Sequence, residues 1–179
     1  MKKLNEKDFT NEIYNFLVEM FPKYAISIGK NLLYKIIIDE DGRVSPKKTL
    51  EPARGSFAFQ TDVLISNTVP LVAIEIKYNS LSTHDILTYS TKALKHKEIY
   101  PYLRYGLIVG KKEIISRKFF THNSGFDFAL AIMNLDQERE KLYEIIQKQI
   151  RSSELYLELL RENRVKYFES NIKIKWKDL

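Results

Sequence analysis

Three charged residues lie in predicted strands, at a spacing that can bring them together. Asp62 lies in SFAFQTDVLI (56–65), and Glu75 and Lys77 lie in PLVAIEIKY (70–78). Alternate residues of a strand share a face, so Glu75 and Lys77 point the same way. The turn SNTVP between the two strands predicts a hairpin that places Asp62 beside Glu75. Unpartnered buried charges are costly, so this convergence indicates a function.

Two carboxylates and one ammonium on an apolar sheet suit metal-assisted hydrolysis of a phosphodiester. Close carboxylates repel each other, which favours a bound divalent cation. Mg²⁺ takes oxygen ligands from one or two carboxylates and keeps other positions for water and a phosphate. Such a metal activates water and polarises a phosphoryl oxygen, while a lysine offsets developing negative charge. The residues therefore predict a Mg²⁺ enzyme, with Mn²⁺ as a substitute metal.

The motif carries a resemblance to a known family. TD, twelve residues, then EIK resembles the PD-(D/E)xK motif of the restriction-endonuclease-like nuclease superfamily. The predicted order of helix, strands, motif hairpin, helix and the short strand YGLIVG is also similar, over about residues 6–110. The resemblance implies that Asp62 and Glu75 bind Mg²⁺ with the backbone carbonyl of Ile76, and that Lys77 assists the attacking water.

Two further positions are compared with the family's pattern. Many members use a glutamate from the first helix as another metal ligand, which implies Glu12 here, with Glu19 as second choice. Thr61 stands where the motif has its proline, a residue that many members lack. The alternative interpretation is a surface hairpin whose Glu75–Lys77 pair faces water, because antiparallel sheets often have one wet face.

The basic residues are concentrated in the middle of the chain. Between residues 77 and 118 there are nine Lys or Arg and three acids, an excess that equals the whole net charge of +6. This clustering is typical of a protein that binds a polyanion, although an ordinary solvated face remains an alternative. The candidate nucleic-acid contacts are Arg54, Gln60, His84, Thr88, Lys92 and Lys95. Another group mixes bases with aromatic residues and could instead belong to the core: Arg117, Lys118, Phe119, Phe120 and His122.

The element pattern predicts an α/β fold with a restriction-endonuclease-like core, a central mixed sheet flanked by helices and a long C-terminal helix. We expect one domain over residues 1–179, with a core of about 6–130 and a C-terminal helix and strand over 135–179. Ser82 or Thr83 should cap the helix after the motif. The apolar stripe of the last helix can pack on the sheet or on a second copy, so we predict a homodimer.

Composition excludes several classes. The chain has no cysteine and three scattered histidines, which argues against disulfides and zinc. No apolar run is long enough to cross a bilayer, and the start MKKLNEKDF lacks the apolar segment of a signal peptide. We therefore expect a cytoplasmic DNA endonuclease, of restriction or phage-defence type. The alternatives are a structure-specific or repair nuclease, such as a junction resolvase, and a non-catalytic nucleic-acid-binding protein; RNA stays open as substrate.

Overall fold

The computed structural model describes residues 5–47, 51–53, 55–162, 165–169 and 173–175. Helices lie at both ends of the described chain, and most strands lie between them. The elements are α1 Glu6–Met20, β1 Ala25–Ile28, β2 Asn31–Leu33, β3 Ile37–Ile38, β4 Val44–Ser45, β5 Ala58–Gln60, β6 Val63–Ser66, β7 Pro70–Tyr78, α2 Thr83–Ile99, β8 Arg104–Gly110, α3 Arg117–His122, β9 Phe128–Ile132 and α4 Leu135–Arg161.

A mixed sheet of five strands forms the centre, in the order β1-β6-β7-β8-β9. The β1–β6 and β6–β7 pairs are antiparallel, whereas β7–β8 and β8–β9 are parallel. Helix α2 makes the crossover that a parallel β7–β8 pair requires. The prediction of an α/β fold with a mixed sheet, flanking helices and a long C-terminal helix is confirmed. None of the described helices is long and apolar enough to cross a membrane.

Side-chain caps fix where the main helices begin. Asn5 caps α1 and Ser82 caps α2, each in a capping box with an aspartate three residues on. Asn134 caps α4 by accepting a hydrogen bond from the N–H of Asp136 at 2.9 Å. These side chains satisfy N–H groups that the first helical turn leaves without partners. Of the two residues predicted to cap the helix after the motif, Ser82 is the cap.

The sheet buries a different set of residues on each face. One face packs under α1 and α4 with a core of aliphatic and phenylalanine side chains, including Leu17, Ile74 and Ile146. The other face packs under α2 and α3 and includes Tyr105 and Leu107. The apolar stripe of α4 therefore packs against β7, β8 and β9 of the same chain.

The predicted single strand over 56–65 is wrong. It is broken into β5 and β6, and β5 leaves the central sheet to pair with β2. Phe57 has a φ of +51°, and the N–H of Thr61 donates to the carbonyl of Lys30 at 2.8 Å, so the chain changes direction on both sides of β5. Phe59 stacks on Tyr34 at 4.1 Å instead of packing in the core beside Val63.

Two more expectations differ from the structure. Residues 117–122 form the short helix α3, which the sequence pattern did not indicate because only one of its side chains, Phe119, is buried. The predicted final strand in the tail is absent from residues 165–169 and 173–175, and its other residues lie outside the described ones.

Candidate active site

The candidate site lies at the carboxyl end of the central strand β7. Glu75 and Lys77 are opposite Leu107 and Val109 of β8 in the parallel register. Both strands end in a left-handed residue: Asn79 has a φ of +69° and Lys111 a φ of +58°. The N–H of Asn79 donates to the carbonyl of Gly110 at 2.9 Å, which ties the two strand ends together.

Asp62 is positioned by the break between β5 and β6. The antiparallel pairing of β6 with β7 ends at Val63 and Ile74. One position further along, a carboxylate oxygen of Asp62 accepts the N–H of Ile76 at 2.7 Å. A strand residue directs its N–H and its carbonyl to the same edge, so the carbonyl of Ile76 also points toward Asp62. The interruption of the strand, which the sequence did not predict, is therefore what frees this edge.

Glu75 is enclosed, with 1% of its surface exposed. Its Oε1 accepts hydrogen bonds from Lys92 Nζ at 2.6 Å and from the hydroxyl of Tyr105 at 2.5 Å. Burial raises the pKa of Glu75 above its ordinary value; Lys92 opposes this rise and the charge of Asp62 adds to it. The alternative of a hairpin whose Glu75 faces water is wrong, because α2 and β8 cover this side chain.

Lys77 lies at the rim of the site, between two acids. Its Nζ is 3.6 Å from Glu6 and 3.9 Å from Asp85, and 5.5 Å from the centre of the Tyr89 ring. Burial lowers the pKa of Lys77, but a hydrogen bond with Tyr89 and the charges of Tyr89, Glu6 and Asp85 outweigh this, so the pKa is raised. Lys77 is therefore protonated near neutral pH and acts as a donor and a positive charge.

The first helix supplies a different glutamate from the one predicted. Glu6 in the first turn of α1 reaches Lys77, whereas Glu12 is exposed and six residues further on, about 9 Å along the helix axis. Glu19 pairs instead with Arg139 of α4 at 2.9 Å. The signal that could have found Glu6 is its position in the first turn of the predicted first helix.

Three of the four nucleic-acid contacts predicted on α2 lie off the helix face that points to the site. His84 and Thr88 are exposed and lie 3.5 Å from each other, and Lys95 pairs with Glu98 at 2.7 Å. The face toward the site carries Asp85, Tyr89, Lys92 and His96. Lys92 is the single residue that belongs to both sets. Tyr89, Tyr105 and Asp85 were missed because each also fits an ordinary core or capping role.

Two other predicted contacts were assigned to the loop and strand before the motif. The side chain of Gln60 donates to the carbonyl of Gly29 at 2.8 Å, so it is held by the neighbouring turn. Its backbone carbonyl, by contrast, accepts a hydrogen bond from Lys92. Arg54 lies outside the described residues.

The basic and aromatic group after β8 is divided between core and surface. Phe119 is buried, Phe120 is exposed, and His122 Nδ1 lies 2.8 Å from the carbonyl of Lys118 within α3. Five of the nine bases between residues 77 and 118 form ion pairs: Lys77, Lys92, Lys95, Lys97 and Arg104. The other four make no ion pair with a described residue and follow the end of β8: Lys111, Lys112, Arg117 and Lys118.

Few groups at the site could bind a metal ion, and all of them are oxygen donors. Across the described part of the chain, no three Asp, Glu or His side chains are grouped to hold a metal ion. Asp62, Glu75 and the carbonyl of Ile76 are all oxygen donors at one strand end. This set fits Mg²⁺, which keeps several waters and needs one or two carboxylates plus a substrate phosphate.

Sequence comparisons give no family for the chain. No known family model matches it, and no curated protein matches its sequence.

Proposed function

We propose that this protein is a Mg²⁺-dependent endonuclease that hydrolyses phosphodiester bonds in DNA. One observation carries the proposal: the hydrogen bond from the N–H of Ile76 to Asp62, at 2.7 Å, holds Asp62 at the end of β7 that carries Glu75 and Lys77. An ordinary hairpin has no need of this arrangement, since backbone pairing would satisfy the same N–H. The inference goes from the site to the chemistry, because a fold alone does not specify a function.

The topology supports a restriction-endonuclease-like core. Helix α1 is followed by the antiparallel strands β1, β6 and β7, then by α2 and the parallel strand β8. This is the order that the resemblance of the motif implied, with the motif residues on and beside β6 and β7. The small β2–β5 and β3–β4 sheets are insertions between β1 and β6.

Each side chain has a distinct part in the proposed reaction. Asp62, Glu75 and the Ile76 carbonyl would hold Mg²⁺, which when bound polarises the phosphate and activates water. Protonated Lys77 donates hydrogen bonds to the attacking water or to a phosphate oxygen, and its charge offsets the negative charge that develops there. Glu6, Asp85 and Tyr89 hold the Lys77 ammonium at the rim.

The four bases that make no ion pair with a described residue favour a nucleic acid as the substrate. Lys111 and Lys112 follow directly on the strand end that pairs with Tyr78, one residue beyond Lys77. Bases near the reactive edge can neutralise backbone phosphates on either side of the bond that is cut. The segment 111–118 is therefore the proposed phosphate-binding segment.

A cleavage assay tests the proposal directly. Wild-type protein is incubated with plasmid and linear duplex DNA in Mg²⁺, Mn²⁺ or EDTA, beside Asp62→Asn and Lys77→Met. We expect metal-dependent cutting that falls about a thousandfold or more in either variant, because each removes an interaction with the transition state. Glu98→Gln, an exposed acid on α2 that pairs with Lys95, is the matched control and should cut normally.

Other substrates separate the alternatives. Cutting of branched but not plain duplexes would replace the proposal with a structure-specific nuclease, and cutting of RNA alone would change the substrate. Equal binding of nucleic acid by wild type and variants, with no cleavage of any substrate, would leave a binding protein on this fold.

A further inference from the structure

Lys92 lies inside the candidate site and is held by oxygen atoms. Its Nζ donates to Glu75 Oε1 at 2.6 Å and also to the backbone carbonyl of Gln60. The side chain of Lys92 is 13% exposed and that of Glu75 is 2% exposed. A carboxylate and a carbonyl are also the oxygen types that Mg²⁺ uses. The ammonium therefore already sits in a cation-binding position.

The cost of burial makes this pair hard to explain by stability alone. A buried ion pair loses hydration on both charges, and an apolar pair of similar volume is often at least as stable. Tyr105 already donates a hydrogen bond to the same oxygen of Glu75, so that carboxylate has another polar partner. What Lys92 adds is a positive charge against the carboxylate of Glu75.

We propose that Lys92 is the internal counter-ion of the site: its ammonium neutralises Glu75 when no divalent cation is bound, and it competes with that cation for the same carboxylate. This inference rests on the proposed function, since it needs a divalent cation at Asp62 and Glu75. Lys92 is thus a positioning residue, which keeps the two carboxylates together before the metal enters.

The ring of Tyr89 offers a second position for the Lys92 ammonium, away from Glu75. The ring of Tyr89 lies between the two lysines, with its centre 5.7 Å from Lys92 Nζ and 5.5 Å from Lys77 Nζ. A lysine has a flexible four-carbon chain, so small rotations can withdraw the ammonium from Glu75 and keep it against this ring. When the divalent cation enters, it replaces the positive charge of Lys92 at Glu75.

Calorimetric titration of the substrate-free protein with Mn²⁺ tests the inference. The variants are Lys92→Met and Lys92→Gln, the second of which keeps hydrogen bonding without the charge. A single positive charge within several ångströms weakens binding of a divalent cation, so we expect both variants to bind Mn²⁺ about tenfold more tightly than wild type.

A matched variant separates the charge at Glu75 from charge elsewhere on the helix. Lys95→Met removes an exposed charge on the same helix. It should bind Mn²⁺ within about threefold of wild type, because it leaves the charge that touches Glu75 unchanged. Melting curves without metal show which variants are folded.

The outcomes distinguish this inference from the proposed function. Tighter binding by both Lys92 variants, abolished by adding Asp62→Asn, supports the inference, including the case in which wild type binds no Mn²⁺. If wild type binds Mn²⁺ through Asp62 and the Lys92 variants bind equally or more weakly, the inference is overturned and the proposed function stands. If folded wild type and folded Lys92 variants all fail to bind, both are overturned.

Discussion

The two faces of the central sheet bury different kinds of side chain. Under α1 and α4 the buried residues of the sheet are aliphatic, and Ile74 and Ile76 of β7 point to this side. Under α2 the same strand presents Glu75, and the helix above it adds buried Ser90 and His96. Both faces exclude water, but the α2 face also encloses a carboxylate and an imidazole, whereas α4 buries one hydroxyl, that of Ser153.

This difference indicates that one face stabilises the fold and the other carries the site. Burial of apolar surface stabilises a fold without directional requirements, so the α1–α4 face can carry the stability of the domain. Polar groups in a core cost free energy unless they are paired. On the α2 face these groups converge on the end of β7, where the proposed chemistry takes place. We infer that the polar groups on the α2 face lower the stability of the fold and are present because the site needs them.

The largest effect on stability should come from the apolar face. Leu17 on α1 is fully buried, so Leu17→Ala should lower the free energy of unfolding by about 3 kcal/mol, through lost burial and a cavity. Urea denaturation at pH 7 measures this. The adjacent Val18 is exposed on the same helix, and Val18→Ala should change stability by less than about 1 kcal/mol. Equal losses at the two positions would contradict the burial of Leu17 in the apolar face.

The polar face should instead make stability depend on pH. His96 is enclosed between the rings of Phe59 and Tyr105, and neither ring nitrogen has a hydrogen bond of good geometry. Burial and the nearby charge of Lys92, only weakly opposed by the backbone of Leu32, lower the pKa of His96 from 6.5 to about 3. Unfolded His96 therefore takes up a proton below pH 6.5 while folded His96 does not. Its contribution to stability is complete above that pH and declines as the pH falls toward 3.

Replacement of His96 by leucine isolates this effect. Between pH 7 and pH 5, wild type should lose about 2 kcal/mol more of its free energy of unfolding than His96→Leu does. All other titrating groups are common to both proteins, so the difference between their denaturation curves reports His96. His84→Gln, at an exposed position, should follow the wild-type curve. Parallel pH dependence in wild type and His96→Leu would show that His96 is not buried in its neutral form.

The sequence predicted the sheet and the end of β7 because both depend on local patterns. Apolar alternation marked β7, and the same alternation put Glu75 and Lys77 on one side of it. The break before β6 was not predictable in this way. It depends on the contact of Thr61 with Lys30, thirty-one residues away, and on the pairing of β5 with β2. Periodicity within one segment contains no information about such pairings.

The choice of helix residues failed for a related reason. Glu12 was chosen because it flanks the apolar stripe of α1, but Glu6 precedes Phe9 by three residues and so lies in line with the stripe itself, at the start of the helix. On α2 the predicted contacts were offset by about one residue from the face that points to the site. The rotation of a helix about its own axis is set by how its side chains pack on the sheet. Lys92 was selected from sequence as a phosphate contact, whereas the structure pairs it with Glu75.

The smallest expected effect concerns the surface where the polar face opens to solvent. If the segment 111–118 binds phosphates, Lys111→Ala combined with Lys112→Ala should weaken binding of Asp62→Asn protein to duplex DNA. The plot of log affinity against log salt should then lose about 2 from its slope, since each phosphate contact contributes about 0.9. Measurement by fluorescence anisotropy across several salt concentrations gives the slope.

Lys141→Ala combined with Lys148→Ala removes the same charge from α4, where both lysines pair with Glu144, and should leave the slope within about 0.5. Equal loss of slope in both double variants would mean that DNA responds to net charge alone, and the segment after β8 would have no special part in binding.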